Sequence, residues 1–194
     1  MKILVSSDIH GDGGMIREFT ERGRGADLVL YCGDISSGPT TGTHDLEKLI
    51  EAFAEIGKPC RFVRGNCDGF EAESEYFLGN EEEFDGVRVI PFEDILATPF
   101  GTFREVSEER IAENLSKIDG KDAIVLAHQP PHGAGDRIPN GMNVGSRAVR
   151  EWIERERLAY WLCGHVHEGK GRYMIGETIV INAAKSFVEL EIRS

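Results

Sequence analysis

The sequence lacks any apolar run near the roughly 20 residues that a transmembrane helix requires. At its start only Ile3, Leu4 and Val5 form an apolar run before polar residues follow, which is not the pattern of a secretory leader. Its four cysteines are scattered with no close pair, so we expect no disulfide framework. These features predict a cytoplasmic protein with reduced thiols and no membrane partner.

The chain also has fewer cationic than anionic side chains. The chain has 22 Lys and Arg against 34 Asp and Glu, a formal net charge of −12. A surface of this sign disfavours nucleic-acid polymers as partners, and DNA nucleases as a function class, although bound metal ions would reverse the sign locally. With 194 residues and a hydrophobic fraction of 40%, the chain predicts one domain, residues 1–194, with a full core.

Short apolar runs alternate with helical patterns along the chain. Seven runs have strand length: 2–5, 27–32, 59–63, 87–90, 123–127, 158–163 and 178–181. Their continuous apolarity predicts strands that are buried on both faces. Four amphipathic segments lie between them: 14–22, 45–56, 107–118 and 146–156. The alternation predicts an α/β fold with partly parallel sheets. A loop from Pro130 to about Gly145 is long enough to indicate a functional role.

The polar residues that follow these apolar runs carry the functional signal. Five runs end in residues that can ligate a metal: Asp8, His10, Asp34, Asn66, His128, His165 and His167. Ligands bind at the carboxyl ends of strands in open α/β sheets, so we expect these side chains to converge. Imidazole with carboxylate and amide oxygens suits Mn²⁺, Fe, Ni²⁺, Co²⁺ or Zn²⁺. Seven ligands are too many for one ion that leaves room for a substrate, but they suit two ions sharing a carboxylate.

As a set, these residues form motifs that resemble those of the calcineurin-like metallophosphoesterase superfamily, particularly its small prokaryotic phosphodiesterases. The motifs are Asp8-x-His10, Gly33-Asp34, Gly65-Asn66-Cys67-Asp68, His128 and Gly164-His165-x-His167. The resemblance implies a four-layer αββα sandwich with two mixed sheets. It implies one metal ion on Asp8, His10 and His167. It also implies a second ion on Asn66, His128 and His165, with Asp34 bridging the two.

One position departs from the pattern of that superfamily. Many members have a His directly after the Asn, where it gives a proton to the leaving oxygen, but this chain has Cys67. A neutral thiol is a poor substitute for imidazole in this role at pH 7. We hypothesise that His132, in the long loop, supplies the proton instead; the alternative is an exposed loop histidine. Asp68, which orients the missing His in the family, is then expected to be structural.

Two charged residues beside the motifs have alternative interpretations. Asp12 is expected either next to the metal ligands or in solvent. Arg64 is expected either in a surface ion pair or in contact with phosphate.

The sequence therefore predicts a phosphohydrolase that uses two divalent transition metal ions, with Mn²⁺ preferred and Ni²⁺, Co²⁺, Fe or Zn²⁺ as alternatives. In this hypothesis a hydroxide shared by the ions beside Asp34 attacks phosphorus, and His10 helps to position groups or relay protons. A small phosphodiester is the expected substrate. The alternatives are a phosphomonoesterase, a nucleotide pyrophosphatase and a non-catalytic metal-binding scaffold.

Overall fold

Each of the seven predicted apolar runs forms a strand, and each of the four amphipathic segments forms a helix. The structure, a computed structural model, describes residues 1–38, 42–71 and 73–192. Within those ranges the strands are β1 Lys2–Ser7, β2 Leu28–Tyr31, β3 Cys60–Phe62, β4 Glu82–Phe84, β5 Val87–Phe92, β6 Ile95–Leu96, β7 Glu105–Val106, β8 Ile124–Ala127, β9 Tyr160–Cys163, β10 Gly171–Ile175, β11 Thr178–Asn182 and β12 Ser186–Glu191. The helices are α1 Gly13–Gly23, α2 Gly42–Ile56, α3 Glu108–Leu115 and α4 Arg147–Glu156, and His167–Gly169 forms a 3₁₀ turn.

The strands form two main sheets, both mixed. The first has the order β12-β1-β2-β3, in which β1, β2 and β3 are parallel and β12 is antiparallel to β1. The second has the order β10-β11-β9-β8-β5-β4, with a parallel centre and antiparallel edge strands β10 and β4. All seven predicted strands lie in the parallel parts, whereas the antiparallel edge strands were not predicted.

The two sheets pack face to face between two pairs of helices. Ile3 and Val5 of β1 point into the core between the sheets, while Leu4 points to the outer face, where α1 and α2 cover it. On the other side, Trp152 of α4 and Leu115 of α3 cover the second sheet. These layers are the predicted four-layer αββα sandwich. They explain why the central strands are apolar on both faces.

Side-chain caps set where three helices begin. Asp12 accepts hydrogen bonds from the backbone of α1, Ser107 from that of α3 and Ser146 from that of α4. Asp12 is thus a solvent-exposed helix cap, which was one of its two expected positions. No helix within 1–38, 42–71 or 73–192 is both long enough and apolar enough to cross a membrane.

A small parallel pair, β6 and β7, was not predicted either. Ile95 N donates to Arg104 O, and Ala97 N donates to Val106 O. These bonds close an irregular segment, 97–104, that joins β6 to β7 in a separate two-stranded sheet. Two-residue strands are too short for any periodicity in the sequence, but this segment reaches the candidate site described below.

Candidate metal centre

The carboxyl ends of five parallel strands meet at one edge of the sandwich. Asp8 N donates to Gly33 O at 3.0 Å, which joins the ends of β1 and β2. His128, after β8, places its ring Nδ1 2.7 Å from Cys32 O, so it links the second sheet to the first. Gly164, after β9, donates its N–H to His128 O at 3.1 Å. Hydrogen bonds at the strand ends therefore hold the polar residues together at this edge, as predicted.

Four of the candidate ligands have an uncommon backbone conformation. Asp8, His10, Asp34 and His165 have φ values of 58°, 49°, 55° and 71°. Such left-handed conformations are unfavourable for residues other than glycine and persist only where the surrounding structure enforces them. Their concentration at one edge indicates that the fold accepts local strain to aim these side chains inward.

Two glycines allow the carboxylates to sit this close to the backbone. A Cβ at Gly65 would lie 2.2 Å from Asp34 Oδ1, and a Cβ at Gly164 would lie 2.1 Å from Asp8 Oδ2. Both distances are shorter than any non-bonded contact can be, so a side chain at either position would displace a carboxylate.

The first group of candidate ligands consists of Asp8, His10 and His167, whose ligating atoms lie within 4.8 Å of one another. His167 Nε2 lies 3.1 Å from Asp8 Oδ1, and His10 Nε2 lies 4.0 Å from the same oxygen. His10 Nδ1 lies 2.7 Å from Ser36 O. That bond leaves Nε2 free for the cluster, which is the usual way in which a protein orients a ligating histidine.

The second group surrounds the side chain of Asn66. Its Oδ1 lies 2.8 Å from His165 Nδ1 and 3.2 Å from His128 Nε2. Asp34 lies between the two groups, because its Oδ2 is 3.8 Å from His10 Nε2 and 3.5 Å from His128 Nε2. The other carboxylate oxygen, Oδ1, accepts a hydrogen bond from Cys67 N at 2.8 Å. The structure thus brings all seven sequence-predicted ligands together.

The charges of the cluster favour a cation. Burial lowers the pKa of His128, but the neighbouring Asp34 and Asp8 outweigh burial and raise that pKa to about 9. Burial and the charge of His128 together lower the pKa of His165 to about 4. Although burial opposes it, the positive charge of His128 holds the pKa of Asp34 below its ordinary value. Two buried carboxylates therefore stabilise positive charge among these histidines, and this donor set suits divalent transition metal ions.

The cluster is closed on one side and open on the other. The side chains of Asp8 and His128 are fully buried. Those of His10 and His167 are 20% and 42% exposed. A ligand from solvent therefore reaches the cluster past these two histidines.

Comparison with known proteins agrees with this geometry. A family model described as calcineurin-like phosphoesterase matches residues 1–169. The chain belongs to the calcineurin-like phosphoesterase family. It is also 33% identical to the uncharacterised protein MJ1162 of Methanocaldococcus jannaschii, over 94% of this chain and 87% of that protein.

Solved structures show the same fold in other proteins. TT1561 of Thermus thermophilus superposes with a TM-score of 0.69 at 19% identity, covering 93% of this chain and 88% of that one. A dimetal phosphatase from Danio rerio superposes with a TM-score of 0.66 at 12% identity, covering 94% and 86%. At such identities the likeness establishes the fold.

Sequence reasoning missed two residues that hold Asn66 and its loop in place. Thr102 Oγ1 accepts a hydrogen bond from Asn66 Nδ2 at 3.1 Å, which turns the amide oxygen toward the histidines. The Arg104 guanidinium donates to Gly65 O and Asp68 O and so ties down the loop that carries Asn66. Both residues lie in segment 97–104, which has no motif or periodicity that could have revealed them.

The residues after Asn66 have different roles. The carboxylate of Asp68 accepts hydrogen bonds at 2.8 Å from Ser36 N and from Gly65 N, so it is structural, as expected. Burial, followed by the charge of Asp34, raises the pKa of the Cys67 thiol well above its usual range. Cys67 is therefore neutral at ordinary pH. Its Sγ also lies within 4.8 Å of ligating atoms of His10 and Asp34.

Two other sequence-predicted residues have described contacts outside the cluster. His132 donates its backbone N–H to Ser146 O at 2.9 Å, and its carbonyl accepts from Arg150 Nη1, so its backbone lies against the start of α4. The contacts described for His132 do not include any of the seven candidate ligands, and its acid role stays a prediction. Arg64 forms an ion pair with Glu93 at 2.8 Å, as one of the two expectations had it, but the pair is largely buried rather than on the surface.

Proposed function

We propose that the protein is a metal-dependent phosphodiesterase that hydrolyses small phosphate diesters with two divalent transition metal ions, preferably Mn²⁺. The observation that carries the proposal is the position of Asp34. Its Oδ2 lies within 4 Å of Nε2 of both His10 and His128, one from each ligand group. A carboxylate in this position suits a bridge between two cations.

The residues present fit two ions. Asp8, His10 and His167 would hold one, and Asn66, His128 and His165 would hold the other, with Asp34 shared. The ring nitrogens of His10 and His128 that face away from the cluster are fixed by Ser36 O and Cys32 O. When bound, paired ions of this kind polarise a phosphoryl group and lower the pKa of water.

The chain's own residues orient the reacting groups. Cys67 N holds Oδ1 of Asp34, which leaves Oδ2 for the space between the ligand groups. His10 lies partly exposed at the open side, with Nδ1 fixed by Ser36 O, so its Nε2 would hold an ion at the place where a phosphate ester enters. In the proposal, His132 gives a proton to the leaving oxygen.

Both arginines near the cluster are engaged, which supports a diester over a monoester, while Lys185 is a cation close enough to act on His167. Arg64 pairs with Glu93, and Arg104 donates to backbone carbonyls, so neither guanidinium is available for a second phosphate charge. A diester carries one negative charge, whereas a monoester carries close to two at neutral pH. Esters of acidic alcohols such as phenols need little protonation of the leaving oxygen, so they are the substrates that depend least on His132.

Hydrolysis of bis(4-nitrophenyl) phosphate and of 4-nitrophenyl phosphate by the Mn²⁺-supplemented protein tests the proposal. We expect the higher kcat/KM with the diester. Asp34→Asn should lower that value at least about 100-fold while circular dichroism shows an intact fold. Asp12→Asn is the matched control, because Asn caps a helix as well as Asp does. Faster monoester hydrolysis would favour the phosphomonoesterase, and a near-parent rate in Asp34→Asn would refute the site.

The acid role of His132 needs a separate test. His132→Ala should slow hydrolysis of a diester with a poor leaving group much more than that of a nitrophenyl diester, because only the poor leaving group depends on protonation. Equal slowing of both substrates would show that His132 is not the acid.

A further inference from the structure

A cavity of about 580 Å³ lies directly beside the candidate metal centre. Residues 96–100 form one wall, residues 138–144 contribute the other, and His165 and Val166 lie between them. This volume is within the range of about 300–1,000 Å³ that is typical of small-molecule sites. Because His165 also belongs to the ligand cluster, a molecule in this cavity adjoins whatever the cluster holds.

The walls of this cavity present large apolar side chains to solvent. Phe100 is 83% exposed and Met142 is 57% exposed. Pro99 and Pro139 stand beside them on the two walls. A concentrated apolar surface next to a polar centre is costly to leave in water and marks a place where an apolar ligand is buried.

The charges of the lining argue against a second phosphate or a charged sugar. Of the described residues that line the cavity, Glu168 and His165 are ionisable, and no Lys or Arg is among them. An anionic group would meet Glu168 without a cation to offset it. In contrast, a phenylalanine ring, a thioether and proline rings are good partners for a flat aromatic group.

We infer that this cavity binds an aromatic ester group of the substrate, joined to the phosphate that the metal centre holds. The inference rests on the proposed function and names its substrate class: phosphodiesters with one aryl or heteroaryl alcohol. Segment 97–104 would then have two roles, since it orients Asn66 through Thr102 and forms one wall of the cavity.

Binding of two phosphonates to the Mn²⁺-loaded protein, measured by calorimetry, tests the inference without any hydrolysis. Both phosphonates, and the hexyl compound below, are used as their monomethyl esters, which carry one negative charge as a diester does; the first two differ in having a phenyl ring or a methyl group on phosphorus. Phenylphosphonate should bind at least about tenfold more tightly, because the ring is transferred out of water. Phe100→Ala or Met142→Ala should reduce this ratio at least about threefold.

Met174→Ala is the matched control. Met174 is 56% exposed, like Met142, but it lies on β10 outside the cavity, so the ratio should be unchanged. Equal affinities for the two phosphonates in the parent protein would overturn the inference. Equal or tighter binding of hexylphosphonate, which has as many carbon atoms as the phenyl compound, would overturn the aromatic class in favour of an alkyl chain.

The two proposals fail in different ways. A phenyl preference without diester hydrolysis would refute the phosphodiesterase and support the aromatic cavity. Diester hydrolysis without a phenyl preference would support the phosphodiesterase and refute the aromatic cavity. If neither phosphonate binds, the result counts against both proposals.

Discussion

Thr102 holds the amide of Asn66 in place, and Thr102→Val tests what that contact does. The hydroxyl accepts from Asn66 Nδ2 at 3.1 Å and donates to the carboxylate of Glu105. Valine has nearly the same shape but can neither accept nor donate a hydrogen bond through its side chain. In the variant the amide of Asn66 is no longer held with Oδ1 toward His128 and His165.

The structure sets the size of the expected effects. One neutral hydrogen bond and one bond to a charged acceptor are lost, but Glu105 keeps its bonds from Thr98 Oγ1 and Thr102 N. The free energy of unfolding should therefore fall by about 1–3 kcal/mol. Affinity for Mn²⁺ should fall about 10–100-fold, the usual effect of removing a partner that orients a metal ligand.

Calorimetric titration with Mn²⁺ and chemical denaturation measure the two effects separately. Thr98→Val is the control, because it removes a hydroxyl that bonds Glu105 at 2.6 Å without a described contact to Asn66. It should lose stability but keep the parent's affinity for Mn²⁺. If the two variants bind Mn²⁺ with the same affinity, Thr102 does not act through Asn66 and the reasoning is refuted.

Three further predictions concern other parts of the chain. Burial lowers the pKa of His128, but Asp34 and Asp8 outweigh burial and raise that pKa to about 9. Mn²⁺ should therefore displace a proton from His128 and bind more tightly as the pH rises toward 9. Calorimetry in two buffers that shows no proton release would contradict this. Ser146→Ala removes a buried helix cap that also donates to Glu108 at 2.6 Å, so the free energy of unfolding should fall by about 1.5–3 kcal/mol. Ser107→Ala removes a more exposed cap and should cost at most about 1 kcal/mol. Equal losses in denaturation experiments would refute the difference. Gly164→Ala displaces Asp8 and should abolish Mn²⁺ binding. Gly13→Ala is the control and should leave binding intact, because its new Cβ would lie 3.7 Å from the nearest atom. Equal Mn²⁺ affinity in the two variants would show that Gly164 is not needed.

The parts of the fold that the sequence predicted are those with a strong local signal. The central strands are buried on both faces, so their apolar runs are continuous and end sharply where the polar ligands begin. The helices were recognisable from their apolar stripes. The convergence of the candidate ligands was predictable because they follow the strands directly.

The missed parts depend on contacts between distant residues. β12 is a largely half-exposed edge strand whose pairing with β1 joins residues 2–7 to 186–191, and no local pattern encodes that contact. Likewise, Thr102 matters only because segment 97–104 folds back onto Asn66. The helix predicted for 107–118 ends at Leu115, because Ile118 N bonds to Leu115 O in a turn rather than continuing the helix.

Anomalous diffraction from Mn²⁺-soaked crystals tests the central claim most directly. The account predicts two peaks at the sheet edge. One should lie among Asp8, His10 and His167, the other among Asn66, His128 and His165. The carboxylate of Asp34 should contact both. A single peak, or no peak at this edge in a folded and fully soaked crystal, would contradict the two-metal account.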